Sequence, residues 1–539
     1  MRTHYMDWRL RTEQYGSFEY LDWETCGESS CIVESLNISA PVSGNCSLGR
    51  LSAYYVEARH ASDIQQTVKF AFDNKIRLSI KNTGHDYFGR STGANSLALW
   101  THNLKGITFN KYFKLKNCAK EKTNILEIGA GVQAEDVYTY LDKIGMHATV
   151  GAVHSVGVAG GFGQGGGHGP LAPTHGLMVD NAVEFDVILA DGTLHTINEC
   201  NEPELFWAMR GGGGSTYGVL VNYKFQVHPA APLRVYQVQA KFPAVDKTFD
   251  ATKSKLHRDI VTAIASNQTT FSDNGIAGYN WLYPDHMVLL FIVPSNDREL
   301  MERVTKPFHD FICNYPGIQL LNDSYHTFNN FKAWADFTLH PSIAANGPVG
   351  IGLYESGRLL PRRLFESPEG VKDVVNATLN SMQISFLGGG HGATGIYSTT
   401  PVKHTDTTST GVNTAWRNSL WHIVMGGVWT QSTPPAARKV LQSAISASIE
   451  PFKKISPGGG SYLNEGDYLE EKWEETFFGS NYQTLLNTKK KYDPLGFFNC
   501  WKCVGWTGYQ DPMYSCYSQS HQNPLPTIPL DHHQDVGRI

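Results

Sequence analysis

The stretch Ile80-Lys-Asn-Thr-Gly-His-Asp-Tyr-Phe-Gly-Arg-Ser91 follows a strand-like run, Ile76-Arg-Leu-Ser-Ile80, and sets a histidine at the tip of a turn. Gly84 and Gly89 bracket His85. Glycine lets a backbone turn tightly and come close to a ligand, so the imidazole can be presented to a cofactor. Taken alone, such a histidine is more often a surface residue than a functional one. Its neighbours decide the fold. Ser52–Ala58 reads as a strand. Ala61–Asp73 reads as a helix, with Ser62 or Asp63 as N-cap and Ile64, Val68, Phe70 and Phe72 near helical spacing. Lys75–Ile80 closes a βαβ unit. Leu97–Trp100 and Ile125–Ile128 read as further strands, and Glu135–Lys143 as a helix ended by Gly145.

A second glycine stretch runs from Val150 to Gly169. It contains Gly161-x-Gly163-x-x-Gly166, the pattern of a dinucleotide fingerprint. That fingerprint needs a preceding strand, a helix opening within it and an acid about twenty residues on. Here the glycines continue into Pro170 and Pro173, and no helix is expected to open. A linker would lack Val150, Val153, Val156 and Val158. The stretch reads as an ordered loop whose backbone N–H groups pack against a large anionic ligand. Met178–Ile197 then reads as strand, Asp191-Gly192 turn and strand. The helix-like Glu202–Met209 leads into Arg210-Gly-Gly-Gly-Gly-Ser215, and Leu220–Val227 is a strand.

The 539 residues are too many for one core and predict two or more units. A net charge of −5 gives no electrostatic reason to expect nucleic acid or an anionic membrane as partner. No apolar run is long enough to span a bilayer. Met1–Leu10 has no apolar h-region. Sequons nevertheless stand at Asn37, Asn45, Asn267, Asn322 and Asn376, and Cys26, Cys31 and Cys46 suit a disulfide framework. A secretory-pathway protein whose leader is missing from this sequence is expected, with an intracellular one as the alternative. Cys500-x-x-Cys503 has no second pair, histidine pair or thioredoxin-like context beside it, so no metal and no redox role is expected there.

The order of His85 loop, glycine loop, Asp191-Gly-Thr, Glu204-Leu-Phe-Trp-Ala208, Arg210-Gly-Gly-Gly-Gly-Ser and strand resembles the FAD-binding domain of the vanillyl-alcohol-oxidase and berberine-bridge-enzyme group. Tyr462-Leu-Asn-Glu465, Trp473, Phe478–Tyr482, Leu485, Lys489, Lys491-Tyr-Asp-Pro494 and Phe497 resemble the tail segment by which such enzymes return to the flavin. Within the group the chain looks most similar to fungal isoamyl-alcohol-oxidase-like proteins. The resemblance implies an α+β fold: a two-subdomain FAD-binding domain of the PCMH type, plus a substrate domain of antiparallel sheet with helices behind it. It divides the chain into a Cys-containing arm (1–50), the FAD-binding domain (51–229), the substrate domain (230–455), the returning segment (456–507) and a loose tail (508–539).

The resemblance also implies that His85 is joined to the flavin 8α-methyl group. The flavin would be wrapped by Lys81, Asn82, Thr83, Gly84, Asp86, Gly89, Arg90 and Ser91. From the second loop, Val153, His154, Gly157, Gly160, Gly161, Gly165, Gly166 and His168 would contribute. Gly218 and Val219 would lie near the adenine or the ring. Many relatives carry a second link through a Cys-Pro pair. That pair falls on Val153-His154 here, so a single attachment is expected. His154 is then a candidate base, or else hydrogen-bonds a flavin carbonyl. Tyr462 and Asn464 are the C-terminal catalytic candidates, with Glu465 beside them. Val158 lies near the position that gates oxygen in plant relatives.

In the middle segment Val235–Phe242 and Met287–Val293 read as strands. Asp297–Ile312 and Ala436–Ile449 read as helices, the first kinked or ended by Pro307. Trp281, Trp334, Tyr354, Phe386 and Tyr397 line a pocket or fill the core. His391 and Asn413–Arg417 are distinctive local features. Three functions follow. The first is an oxidase passing a hydride from an alcohol-type C–H of a small molecule to the flavin, with O2 reduced to H2O2. The second is oxidative cyclisation or desaturation of a secondary metabolite on the same site. The third is a catalytically silent flavin-binding protein. The protein is expected to be a monomer.

Overall fold

The computed structural model describes residues 7–20, 39, 49–338, 349–430 and 432–514. Cys26, Cys31, Cys46, the sequons at Asn37 and Asn45, and the tail from residue 515 lie outside them. Helix Ala61–Asp73 forms where the apolar spacing places it. Asp63 accepts from the backbone N–H groups of Arg59 and His60, and Ile64, Val68 and Ala71 are buried. This helix joins β1 (Tyr54–Glu57) to β2 (Leu78–Lys81), and both pair in parallel with β3 (Leu97–Trp100), in the order β1-β3-β2.

A five-stranded antiparallel sheet follows. β4 (Ile107–Lys114), β5 (Glu121–Gly129), β7 (Ala182–Ile188), β8 (Leu194–Asn198) and β9 (Val219–Gln226) lie in the order β4-β5-β9-β7-β8. A short pair, β6 (Met146–His147) and β10 (His228–Pro229), closes the first half. The second half is one antiparallel sheet of seven strands. These are β11 (Leu233–Lys241), β12 (Ala277–Leu282), β13 (His286–Pro294), β14 (Gln319–Phe328), β15 (Gly352–Pro361), β16 (Thr394–Tyr397) and β17 (Ser419–Trp429), ordered β14-β11-β13-β12-β16-β17-β15. Helices Lys255–Asp273, Leu300–Asn314, Pro368–Leu387 and Pro435–Ser448 pack behind it. Alternation along β17 sorts its side chains: Trp421 donates to Gln268 on the helix side, and His422 faces the opposite way.

Two local expectations give way to packing. Helix Leu300–Asn314 runs through Pro307. Its buried face of Met301, Val304, Thr305, Phe308 and Ile312 outweighs the one backbone bond that proline removes. The glycine loop also coils into helical turns over Val158–Phe162 and Gly163–Gly165. Val158 and Ala159 bury there, and the Tyr223 hydroxyl donates to the Gly163 carbonyl at 2.9 Å. In the arm Trp8–Thr12 is helical, and in the tail Tyr514 is buried beside Trp501 and Trp506.

Buried ion pairs bind the segments together. Arg417 reaches Asp180 through two bonds of 2.7 and 2.8 Å. Lys489 bonds Asp493 at 2.6 Å and the Phe498 carbonyl at 2.7 Å, fixing the C-terminal segment. Disulfides join Cys500 to Cys503 and, unforeseen in the sequence, Cys118 to Cys200. Among the described residues no helix is long and apolar enough to cross a membrane.

Candidate active site

The His85 turn uses its glycines as the sequence suggested: Gly84 and Gly89 have φ of +93° and +68°. Inside the turn, Asp86 accepts from the Arg90 backbone and guanidinium, which makes the loop rigid. Two contacts lock the turn to the second glycine loop. The Asn82 side chain fills the space where a Cβ of Gly157 would sit, and His85 Nε2 lies 2.7 Å from the Ser155 hydroxyl. Burial pushes the His85 imidazole down to about 3, so it is neutral at physiological pH.

The second glycine loop is held from the C-terminal segment. The backbone N–H of Gly167 donates to the Tyr462 hydroxyl at 3.2 Å. Asn464 donates to that hydroxyl at 2.8 Å and to the Gly161 carbonyl at 3.0 Å. Side chains at Gly165 and Gly166 would collide with Asn464 and Tyr462. His168 closes the contact: its Nε2 is 3.1 Å from Glu465 and its Nδ1 is 2.8 Å from the Thr399 hydroxyl.

Glu465 sits at the centre of a chamber. The seven-stranded sheet contributes a row of facing residues, with Tyr279 opposite Tyr397 and Tyr397 opposite His422. Glu355 of β15 lies on the same side. From the first half, Tyr87 of the His85 loop and Tyr20 of the arm complete the wall, their rings 5.1 Å apart, with Tyr20 5.8 Å from His85. Tyr20, His85, Tyr87, Tyr279, Glu355, Tyr397 and Glu465 all keep some exposed surface although protein encloses them. That combination marks side chains lining an internal space.

The two carboxyls are driven apart. Burial opposes charge on Glu465, but the His168 imidazole, 3.1 Å away, outweighs it and holds the carboxyl below its usual value. Burial, reinforced by the Glu465 charge, lifts Glu355 well above its usual value. Burial pushes His422 down to about 3 against the pull of Glu465. One ionised and one neutral carboxyl facing one space is the arrangement that separates base from acid. Within this space Glu355 Oε2, Glu465 Oε2 and both ring nitrogens of His422 are buried without hydrogen-bond partners.

Other residues singled out in the sequence go elsewhere. His154 turns away from His85 and packs between Trp8 and Tyr138, with Glu135 3.7 Å from its Nδ1. Lys81 is buried, with its ammonium on the carbonyls of Gln14, Tyr15 and Ser17 of the arm. Thr83 is buried, while Ser91 and Val153 are half-buried. Gly218 lets its strand lie against the Ile188 carbonyl, and Val219 is in a core with Ile188 and Phe498. Of the five candidate pocket aromatics, Tyr397 faces the chamber. Trp334 packs on Phe331, Phe386 on Phe249, Trp281 lies beside Tyr397, and Tyr354 bonds Asp467. His391 is exposed.

Sequence reading missed Tyr20, Tyr87, Glu355, Thr399 and His422. Tyr87 stood in the quoted loop. Glu355 and His422 are lone ionisable residues inside apolar strands, a signal that was there to be used.

Known proteins resemble the chain along nearly all its length. Residues 52–198 match the family described as an FAD binding domain, and residues 461–504 match that described as berberine and berberine like. An uncharacterized FAD-linked oxidoreductase of Arthroderma benhamiae is 32% identical over 502 residues, 90% of this chain and 82% of that protein. Crystal structures of two VAO-type flavoproteins from Myceliophthora thermophila C1 superpose on it. MtVAO713 does so with a TM-score of 0.80 at 25% identity, over 93% of this chain and 88% of that one. MtVAO615 does so with a TM-score of 0.77 at 26% identity, over 93% and 94%.

Proposed function

The chain belongs to the FAD-linked oxidoreductases of the vanillyl-alcohol-oxidase and berberine-bridge-enzyme group, and from that membership we propose an oxidase that holds FAD through His85 alone and oxidises an alcohol-type C–H of a small organic molecule. The observation that carries the reading is the chamber, where the Glu465 carboxyl, held low, and the Glu355 carboxyl, held high, stand among four tyrosines at the rim of the His85 loop. Its orphaned polar atoms and enclosed walls fit a bound flavin and substrate.

His85 suits a covalent link. Its imidazole is neutral, so one ring nitrogen carries a lone pair to act as nucleophile, and the bond between Nε2 and the Ser155 hydroxyl holds the ring in place. Val153 offers no thiol for a second link. FAD held by these residues would supply the two-electron acceptor, and with O2 as the final oxidant the balance would be alcohol plus O2 to carbonyl plus H2O2.

The chain's own residues do the rest. Glu465 takes the hydroxyl proton, its carboxyl held below its usual value by His168. Glu355 and the Tyr87 and Tyr397 hydroxyls orient the substrate oxygen. Tyr462 and Asn464 hold the glycine loop, and His154 packs between Trp8 and Tyr138. The aromatic walls select a largely apolar alcohol. Two disulfides suit an oxidising compartment.

Acid precipitation of the purified protein tests the link. Flavin colour stays in the wild-type pellet and moves to the supernatant in His85→Ala. A panel of aromatic and aliphatic alcohols then yields peroxide in wild type. A colourless protein, or flavin released entirely from wild type, overturns the reading.

A further inference from the structure

A second cluster of ligand-type side chains lies on the outer edge of the seven-stranded sheet. His309 and Cys313 stand one turn apart on helix Leu300–Asn314, and Asp323 lies on the edge strand β14. His309 Nε2 is 3.0 Å from Asp323 Oδ2. Cys313 Sγ is 3.5 Å from that nitrogen and 3.3 Å from that oxygen. A tetrahedral zinc ion, with bonds of about 2.3 Å to sulfur and about 2.0–2.1 Å to nitrogen and oxygen, spaces its ligand atoms by roughly 3.3–3.6 Å. The triangle found here is within a few tenths of an ångström of that size.

Two further observations point to a cation. The other ring nitrogen of His309, Nδ1, lies 3.3 Å from Asp310 Oδ1. A carboxylate behind the imidazole fixes the tautomer with its lone pair on Nε2 and raises its basicity, as in carboxylate–histidine–zinc sites. Tyr236, wholly buried, sets its hydroxyl beside Asp323, yet neither that hydroxyl nor Asp323 Oδ1 makes a well-formed hydrogen bond. Asp323 committed to a metal through Oδ2 would turn Oδ1 to the tyrosine. Among the described cysteines, Cys313 is the one outside a disulfide, and it is exposed.

We propose that His309, Cys313 and Asp323 bind zinc(II), with the fourth position open to solvent. Thiolate, imidazole and carboxylate together suit zinc; calcium and magnesium reject the thiol. Thiolate and carboxylate balance the ion's charge, and binding releases the thiol proton. The ion staples the helix to β14, the edge strand of the sheet among the described residues. The site is separate from the flavin chamber and independent of the reading given to it.

The flavin-loaded, full-length protein is stripped with chelator, equilibrated with micromolar zinc sulfate, gel-filtered and assayed for metal. About one zinc per chain is expected. Cys313→Ser and His309→Ala each lower retention at least tenfold, and Asp310→Asn weakens it about tenfold. The visible flavin spectrum is unchanged in all three, and zinc raises the thermal midpoint of wild type but not of Cys313→Ser. The chamber's own His168, His422 and Glu465 also lie at ligand spacing, so His422→Ala is included and keeps its zinc. Zinc held only at millimolar concentration, retained equally by Cys313→Ser, or lost in His422→Ala overturns the proposal.

Discussion

The hydroxyl of Ser155 lies 2.7 Å from Nε2 of His85, across a seam where two glycine-bearing loops meet. Through this bond one loop fixes the ring orientation of the other's histidine. Ser155→Ala removes it and leaves the imidazole free to rotate. One such hydrogen bond is worth about 1 kcal/mol, so covalent capture of FAD by the apoprotein slows by about five-fold. Ser155→Thr keeps the rate. A time course of acid-stable flavin measures it, and equal rates in wild type and Ser155→Ala would remove Ser155 from the attachment chemistry.

Glu465 and Glu355 carry opposite predictions. Removing the base, Glu465→Gln, lowers turnover by roughly 10²–10⁴-fold with flavin content unchanged. Because the carboxyl is held below its usual value, the acid limb of the wild-type rate profile falls below the ordinary carboxylate range. Glu355 is raised, so the folded state keeps a proton that the unfolded chain has lost once pH passes the ordinary carboxylate value. Stability therefore declines as pH climbs through that window. Glu355→Gln abolishes this decline: its melting midpoint exceeds that of wild type at pH 8 and matches it at pH 4. Parallel melting curves at both pH values would show that Glu355 ionises freely.

Local signals made the first half of the fold legible. Helix Ala61–Asp73 and strand Leu97–Trp100 lie where spacing put them, because each buries one face defined within its own residues. The glycine loops were legible as tight, ordered turns because few other uses need so many positions without side chains. The chamber was only half legible. Tyr87 and Glu465 flank quoted motifs, but Glu355 and His422 reach it through the register of β15 and β17, which no local pattern encodes. His154 and Ser155 make the point at the smallest scale. Adjacent residues point to opposite sides, and the side that meets His85 was Ser155, the residue with the quieter chemistry.

Neighbouring glycines in the second loop separate folding from binding. A Cβ on Gly163 would come within 2.5 Å of the Val158 carbonyl and 3.0 Å of the Met178 sulfur, both held in place by packing. Gly163→Ala is therefore expected to misfold or to lose at least 1–3 kcal/mol from overpacking. At Gly161 a Cβ meets nothing within 4 Å. Gly161→Ala folds with an unchanged apoprotein melting midpoint. If the open side of Gly161 faces FAD, this variant retains less flavin, read as the flavin-to-protein absorbance ratio. Full flavin loading in Gly161→Ala would place the cofactor elsewhere along the loop.

Three histidines away from the chamber set the acid limit of stability. His175 Nε2 is 2.9 Å from His147 Nε2, and His175 stacks on His228 at 4.0 Å. Burial, then the neighbouring imidazole of His228, pushes His147 down to about 4, and burial, then the imidazoles of His228 and His147, pushes His175 to about 3. The folded state therefore refuses protons that the unfolded chain binds below its ordinary histidine value. Stability is full above about pH 6.5 and is lost as pH falls toward 4. Each histidine contributes at most about 1.4 kcal/mol per pH unit to that slope. His175→Gln removes one titrating group from the stack and relieves its neighbour, so denaturant midpoints between pH 7 and pH 5 fall less steeply than in wild type. An unchanged slope would mean that the stack is already open to water and takes up protons in the folded protein.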